Sequence, residues 1–244
     1  MKPLILLCTC YFLLSGCSTP QPHTKSINIL KKVGHYGYVQ HWKEHNRNPH
    51  KIKVMVPRHA SVITSDFHSR IGANGLKRGG LHRGVDIYHD SGTPIIAAAD
   101  GKVIKAEIGD CWGPTVLLDH GKMKDGRPLY SLYSHMRNIN VKVGDTVKRG
   151  EQIAEMGDDI FNSCGGGLHH LHFQVSHNPD GIPIGWGWSY FVGDGWNAPN
   201  PHEYWEKGPG QITCFEPGKT YRKDGFTYPV RCDGPKADKQ QSSL

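Results

Sequence analysis

At 244 residues, with 37% hydrophobic and 21% charged side chains, the chain is long enough for one well-packed domain with appendages. Its 30 glycines and 16 prolines, without sustained helical periodicity, exclude a helical bundle and favour a turn-rich, all-β chain. The formal charge of +7 comes from scattered cations, which excludes a nucleic-acid module and suits an anionic envelope polymer or a lipid surface.

Residues 1–16 read as a signal peptide. Lys2 precedes an apolar run from Leu4 to Leu14, too short for a membrane span of about 20 residues. The next residues, Leu14-Ser15-Gly16-Cys17, resemble the bacterial lipobox, in which cleavage leaves a lipidated cysteine, here Cys17, as the first mature residue. That expectation places the chain in the cell envelope, anchored by lipid to the outer membrane and facing the periplasm. Cleavage removes Cys8 and Cys10, leaving Cys111, Cys164, Cys214 and Cys232. An even number in an exported chain points to two disulfides, with three possible connectivities.

Residues 17–58 read as a tether and N-terminal extension. Ser18 to Lys32 is polar with Pro20 and Pro22, and His35 to Pro57 carries no assignable pattern beyond a possible short strand at Lys51 to Val56. Residues 59–206 are expected to form the main domain and 207–244 a disulfide-closed appendage. Ser61 to Phe67 leads into a basic, glycine-rich loop that ends at Gly80.

Short strand signals with turns between them then recur at Val85 to Tyr88, Pro94 to Ala98, Gly101 to Glu107, Thr115 to Asp119, Leu129 to His135 and Gln152 to Met156. This is the pattern of an antiparallel all-β domain. Asp100-Gly101 and Asp125-Gly126 read as hairpin turns. Val143 to Ala154 makes a tight corner of the kind found in barrel-sandwich folds. Lys122-Met123-Lys124 lacks the order of a carrier hairpin and reads as a solvated loop. In the tail, Trp186, Trp188, Trp196 and Trp205 lie among glycines and prolines; packing against the main body is favoured over stacking on a ligand.

The series closes at 170–175, after Gly165-Gly166-Gly167. In a strand, His170, His172 and Gln174 share one face and Leu171, Phe173 and Val175 the other. Two imidazoles at fixed spacing suit a metal ligand beside an acid or base. Catalytic zinc takes three protein ligands and keeps one position open. If His172 is one, the best source of two more is His82-Arg83-Gly84-Val85-Asp86. In an extended segment residues 82, 84 and 86 share a face, and Gly84 leaves space for the ion. A His, Asp, His set suits Zn2+. His170 is placed to handle the proton of the attacking water, and His135 is a second candidate.

These motifs carry a resemblance. From about Thr64 to His177 the chain is similar to the lysostaphin or LytM-type zinc metallopeptidases of family M23, the peptidoglycan endopeptidases. The matching residues are His82-x-x-x-Asp86, Gly92-Thr93-Pro94, Ala97-Ala98-Ala99-Asp100-Gly101-Lys102-Val103 and Asp119-His120-Gly121. Tyr133-Ser134-His135, the corner from Val143 to Ala154, and His170-Leu171-His172-Phe173 complete them.

The resemblance implies a barrel-sandwich-like LytM-type fold, a Zn2+ cofactor and a peptidoglycan substrate. It makes His82, Asp86 and His172 the metal ligands and His135 and His170 the catalytic histidines. It gives His120 a structural place and Arg70 no firm role. His169 is the alternative register to His170, which strand alternation disfavours. Ser134 and Gln174 stand where Ala and Glu are commoner, and the loop from Asp158 to Gly167 departs from the family pattern. Of the disulfide pairings, Cys111 with Cys164 and Cys214 with Cys232 are favoured: the first two sit in loops placed near the site, and the second two share a short tail. The expected function is zinc-dependent cleavage of peptidoglycan stem peptides or cross-links. The alternatives are a non-catalytic adaptor that activates cell-wall amidases, or a peptidase of another protein.

Overall fold

Strand alternation sets the architecture of the computed structural model, which describes residues 52–57, 59–72, 77–109, 112–157, 169–180, 183–184, 188–189, 194 and 197–232. The strands are β1 Val62–Ser65, β2 Val85–Tyr88, β3 Pro94–Ile96, β4 Gly101–Gly109, β5 Gly113–Lys122 and β6 Pro128–Ser134. They continue as β7 Met136–Arg137, β8 Thr146–Val147, β9 Gln152–Met156, β10 Leu171–Ser176, β11 Pro183–Ile184 and β12 Trp188–Ser189. Apart from a short 3-10 turn at Pro201–Glu203, regular structure among the described residues is all β and the strand pairings are antiparallel.

Seven strands form one sheet in the order β1-β2-β10-β6-β5-β4-β8, and β3-β9-β7 form a second. Inward residues of both meet in one core: Val85, Ile87, Val116, Leu118, Tyr133, Leu171, Phe173 and Val175 from the large sheet, and Ile95, Met136, Ile153, Ala154 and Met156 from the small one. Burying these branched and aromatic side chains is the main driving force for the fold, at roughly 1.5–3 kcal/mol per large side chain. It also fixes register, since a one-residue slip of β10 would turn Leu171, Phe173 and Val175 out of the core.

Two turn expectations part ways. Asp125-Gly126 joins β5 to its neighbour β6, as a hairpin should. Asp100-Gly101 is not a hairpin turn, because β3 and β4 belong to different sheets. There the Asp100 carboxylate accepts from the Arg149 backbone N–H at 2.8 Å and from Lys148 at 3.2 Å, tying the crossing to the corner after β8. The possible strand at Lys51 to Val56 amounts, over its described residues, to a single bridge between Met55 and Gln211.

Residues 207–232, set apart as an appendage in the sequence reading, share the main core. Phe226, Tyr228 and Val230 are fully buried. Ile96 N–H donates to the Pro229 carbonyl and Thr227 N–H to the Ala98 carbonyl, both at 2.9 Å. Just before them Trp205, fully buried, stacks on Phe173 of β10 with ring centroids 6.0 Å apart. Trp205 therefore packs against the body. Trp186 and Trp196 lie outside the described residues, as does the side chain of Trp188.

Candidate metal centre and active site

The site stands on the face of the large sheet opposite the core. β10 lies between β2 and β6, so His172 pairs in register with Asp86 on one side and Ser134 on the other. Directly opposed residues bring their Cβ atoms to about 5 Å, and this register places His172 against Asp86. His82 precedes β2 in a bend held by two backbone bonds, His82 N–H to the Ser69 carbonyl at 3.1 Å and His68 N–H to the His82 carbonyl at 2.7 Å.

Three donor atoms converge. His82 Nε2 is 3.0 Å from Asp86 Oδ1 and 3.0 Å from His172 Nδ1, which is itself 3.1 Å from Asp86 Oδ1. All three side chains are buried. Donors about 2.0–2.1 Å from a tetrahedral zinc would stand roughly 3.3 Å from each other, so this triangle fits the ion closely.

The hydrogen bonds around each candidate ligand agree. His82 Nδ1 donates to the Asp66 carbonyl at 2.9 Å, which leaves Nε2 as a lone pair facing the centre. Burial, helped by the Arg78 charge, lowers the His82 pKa to about 4, so the ring is neutral as a ligand must be. His172 presents Nδ1 inward and turns Nε2 toward Gln174 Oε1 at 3.3 Å, an acceptor that fixes the opposite tautomer, with the proton on Nε2 and the lone pair on Nδ1. Burial works against the Asp86 charge, but the surrounding imidazoles and Arg78 outweigh it and hold the carboxyl well below the usual carboxylate range. Arg78 Nη2 donates to Asp86 Oδ2, leaving Oδ1 to face the centre.

The role expected of Gly84 needs correction. A Cβ at residue 84 would lie 2.4 Å from the Phe173 carbonyl oxygen and 2.9 Å from Cε1 and Nε2 of His172. The space above Gly84 is filled by the His172 ring and the neighbouring backbone, so this glycine cradles the imidazole where open room for the ion is expected from sequence.

Two further imidazoles flank the triangle. His170 precedes β10, with Nε2 3.8 Å from Asp86 Oδ1. His135 lies 4.8 Å from His170 and 6.2 Å from His172, centroid to centroid. His135 steps out of β6 in the left-handed region, φ 63°, an uncommon conformation for a residue with a Cβ. Gly157 holds it there: its N–H donates to the His135 carbonyl at 3.1 Å, and a Cβ at 157 would sit 2.3 Å from that oxygen. Burial, then the neighbouring His170 and His172, pushes the His135 pKa well below its ordinary value. Its Nδ1 is buried and makes no hydrogen bond to the protein among the described residues.

The structure thus gathers His82, Asp86, His135, His170 and His172 in one place. His169 is half-buried and has no place in the triangle. His120 sits elsewhere, between the Asp100 carbonyl and Ser131 Oγ at 2.7 Å each. Cys214 and Cys232 are joined by a disulfide. Although His59 approaches Cys214 Sγ at 3.6 Å, sulfurs bonded to each other are not thiolate ligands. Cys17, Cys111 and Cys164 lie outside the described residues.

Three contributors escaped the sequence reading. In sequence Arg78 is only part of a basic loop. Trp112 packs edge-on to His172 at 5.0 Å and near-parallel to His135 at 6.1 Å, and the His135 N–H donates to its carbonyl at 2.9 Å. Asp66 supplies the carbonyl that holds His82. Only Trp112 left a local trace, as an aromatic before a strand that ends beside the site.

Two imidazoles and a carboxylate around one point, with two more imidazoles alongside, form the kind of site that metal-dependent hydrolases use. Residues 80–183 match the model of Peptidase family M23, so the chain carries an M23 peptidase domain, and all five residues fall inside it. The glycyl-glycine endopeptidase ALE-1 of Staphylococcus capitis is 35% identical over 100 residues, 41% of this chain and 26% of its own length. Lysostaphin of Staphylococcus simulans is 30% identical over 135 residues, 52% of this chain and 26% of its own. A lipoprotein NlpD/LppB homologue of Pseudomonas aeruginosa is 36% identical over 98 residues, 40% of this chain and 30% of its own. The chain thus spans between a quarter and a third of the length of these relatives. Among solved structures, the catalytic domain of Staphylococcus simulans lysostaphin aligns at 28% identity over 57% of this chain and 85% of that one, with a TM-score of 0.39.

Proposed function

We propose that this chain is a zinc endopeptidase that hydrolyses peptide bonds in peptidoglycan stem peptides or cross-links. The observation that carries the reading is the convergence of His82 Nε2, Asp86 Oδ1 and His172 Nδ1 within 3.1 Å of one another, with His135 and His170 beside them. Zinc held there would supply a Lewis acid and make hydroxide accessible near neutral pH.

The chain's own residues do the rest. Asp86, ionised at neutral pH, offsets one charge of the cation. His135 is kept uncharged by burial, so it can accept a proton from the attacking water or donate a hydrogen bond to the oxyanion that develops on the scissile carbonyl. His170, 4.8 Å away, supplies the second imidazole, so that one ring can hold the oxyanion while the other passes a proton to the leaving amine. Trp112 forms an apolar wall beside both His135 and His172.

The names of relatives that include a glycyl-glycine endopeptidase and a lipoprotein support a wall substrate and an envelope location. The reading puts the chain in the envelope, anchored through a lipid at the Cys17 of its lipobox-like segment and facing peptidoglycan from the outer membrane. Zymography in gels containing purified peptidoglycan tests the reading: zinc-loaded protein should clear the gel, a chelator should abolish clearing, and added zinc should restore it. Binding to the wall without clearing by the zinc-loaded protein would instead fit an adaptor.

A further inference from the structure

The bond that orients His82 comes from outside the matched domain, and it continues into the C-terminal segment. His82 Nδ1 donates to the peptide carbonyl of Asp66, which follows β1 directly. The Asp66 carboxylate is held in turn: Oδ1 accepts from the Phe67 backbone N–H at 2.7 Å and from His202 Nε2 at 2.7 Å. Trp205 Nε1 donates to His202 Nδ1 at 3.0 Å. An indole N–H only donates, so His202 Nδ1 is the acceptor and its proton sits on Nε2, pointed at Asp66.

The donor of each bond is therefore defined: Trp205 donates to His202, and His202 and His82 both donate to Asp66, His202 to its carboxylate and His82 to its peptide carbonyl. His202 and Trp205 are fully buried. The backbone around His202 is also fixed, because its carbonyl accepts from Gly210 N–H at 2.7 Å and its own N–H donates to Asn200 Oδ1 at 3.0 Å.

We propose that His202 is a positioning residue of the metal centre: by holding the Asp66 carboxylate, it fixes the Asp66 carbonyl that sets the tautomer and orientation of His82. Partners of a ligating imidazole's second nitrogen fix its ring and raise its basicity, and losing such partners typically weakens metal affinity about 10- to 100-fold. His202 acts one bond further out, so its effect falls at the lower end. The inference rests on the reading of His82 as a ligand.

Two substitutions in the full-length protein separate this role from packing. His202→Gln places an amide donor where Nε2 was and keeps the bond to Asp66. His202→Asn keeps an acceptor for Trp205 but falls short of Asp66. Zinc affinity, measured by competition with a chromogenic chelator, is expected to fall about tenfold in His202→Asn and to stay within about threefold of wild type in His202→Gln. Melting temperatures of the metal-free proteins and a His120→Asn control, which disturbs a buried histidine away from the centre, report the packing cost. Affinity within twofold of wild type in folded His202→Asn overturns the proposal, as does an equal loss in His120→Asn at matched stability. Should His202→Asn not fold, Asp66→Asn retains the shape while weakening both bonds to Oδ1; an affinity loss of about threefold is then expected, and none overturns the proposal. Wild-type protein that binds no zinc would instead remove the ligand reading itself.

Discussion

His172 and Asp86 stand directly across the ladder between β10 and β2, and their side chains meet with Nδ1 3.1 Å from Oδ1. With His82 they form a set whose removal should differ in kind from removal of its neighbours. We expect His82→Ala, Asp86→Ala and His172→Ala each to lose stoichiometric zinc. His135→Ala and His170→Ala should keep zinc and lose about 10²- to 10⁴-fold in rate. Metal content by elemental analysis beside the turnover rate checks this, and equal zinc loss in all five would remove the division of roles.

Arg78 holds the outer oxygen of Asp86, and its charge helps keep the carboxylate ionised. Arg78→Ala should weaken zinc binding about 10- to 100-fold, with Arg78→Lys recovering part of it. A guanidinium that competed with the ion would give the opposite sign, so tighter binding by Arg78→Ala would show that the residue opposes the metal.

Gly84 and Gly157 give a steric contrast. A methyl at 84 meets the His172 ring and the Phe173 carbonyl, while one at 157 meets only the backbone at His135 and Met136. Gly84→Ala should therefore lose metal affinity, and Gly157→Ala should keep it while losing rate through displacement of His135. Each should also cost about 1–3 kcal/mol of stability as overpacking, read by denaturant unfolding.

Acid sensitivity follows from the buried histidines. Burial lowers the pKa of His120 to about 4, against 6.5 when exposed. Between those values the unfolded chain binds more protons than the folded one, so stability rises with pH through this window and levels off above it. The contribution lost on going from pH 7 to pH 4 is up to about 3 kcal/mol. His120→Gln should flatten the pH dependence of unfolding between pH 4 and 6.5 in metal-free protein; an unchanged slope would show that His120 is not part of it.

The candidate site is legible in the sequence because local spacing encodes it. Apolar residues at 171, 173 and 175 put His172 on the other face of β10, and the short step from His82 to Asp86 survives as a bend followed by a strand. What spacing could not show was anything set by pairing across the chain. Asp100-Gly101 resembles a hairpin turn in sequence, yet the chain changes sheet there. His202 and Asp66 are separated by 136 residues, and no periodicity links a histidine in a proline-rich tail to a carboxylate after β1. Phe226, Tyr228 and Val230 likewise look like parts of an appendage until the sheets close over them. Gly84 matters in both cases for its lack of a side chain, but what occupies the space is visible only once β10 lies beside it.

The central claim is that the converged site cuts a peptide bond in the wall. Mass spectrometry of the muropeptides released from defined cell walls tests it most directly. Zinc-loaded wild-type protein should release fragments with a new amino terminus at one peptide bond, and His135→Ala, with its zinc retained, should release none above background. Zinc-loaded wild-type protein that leaves every peptide bond of the wall intact would contradict the account.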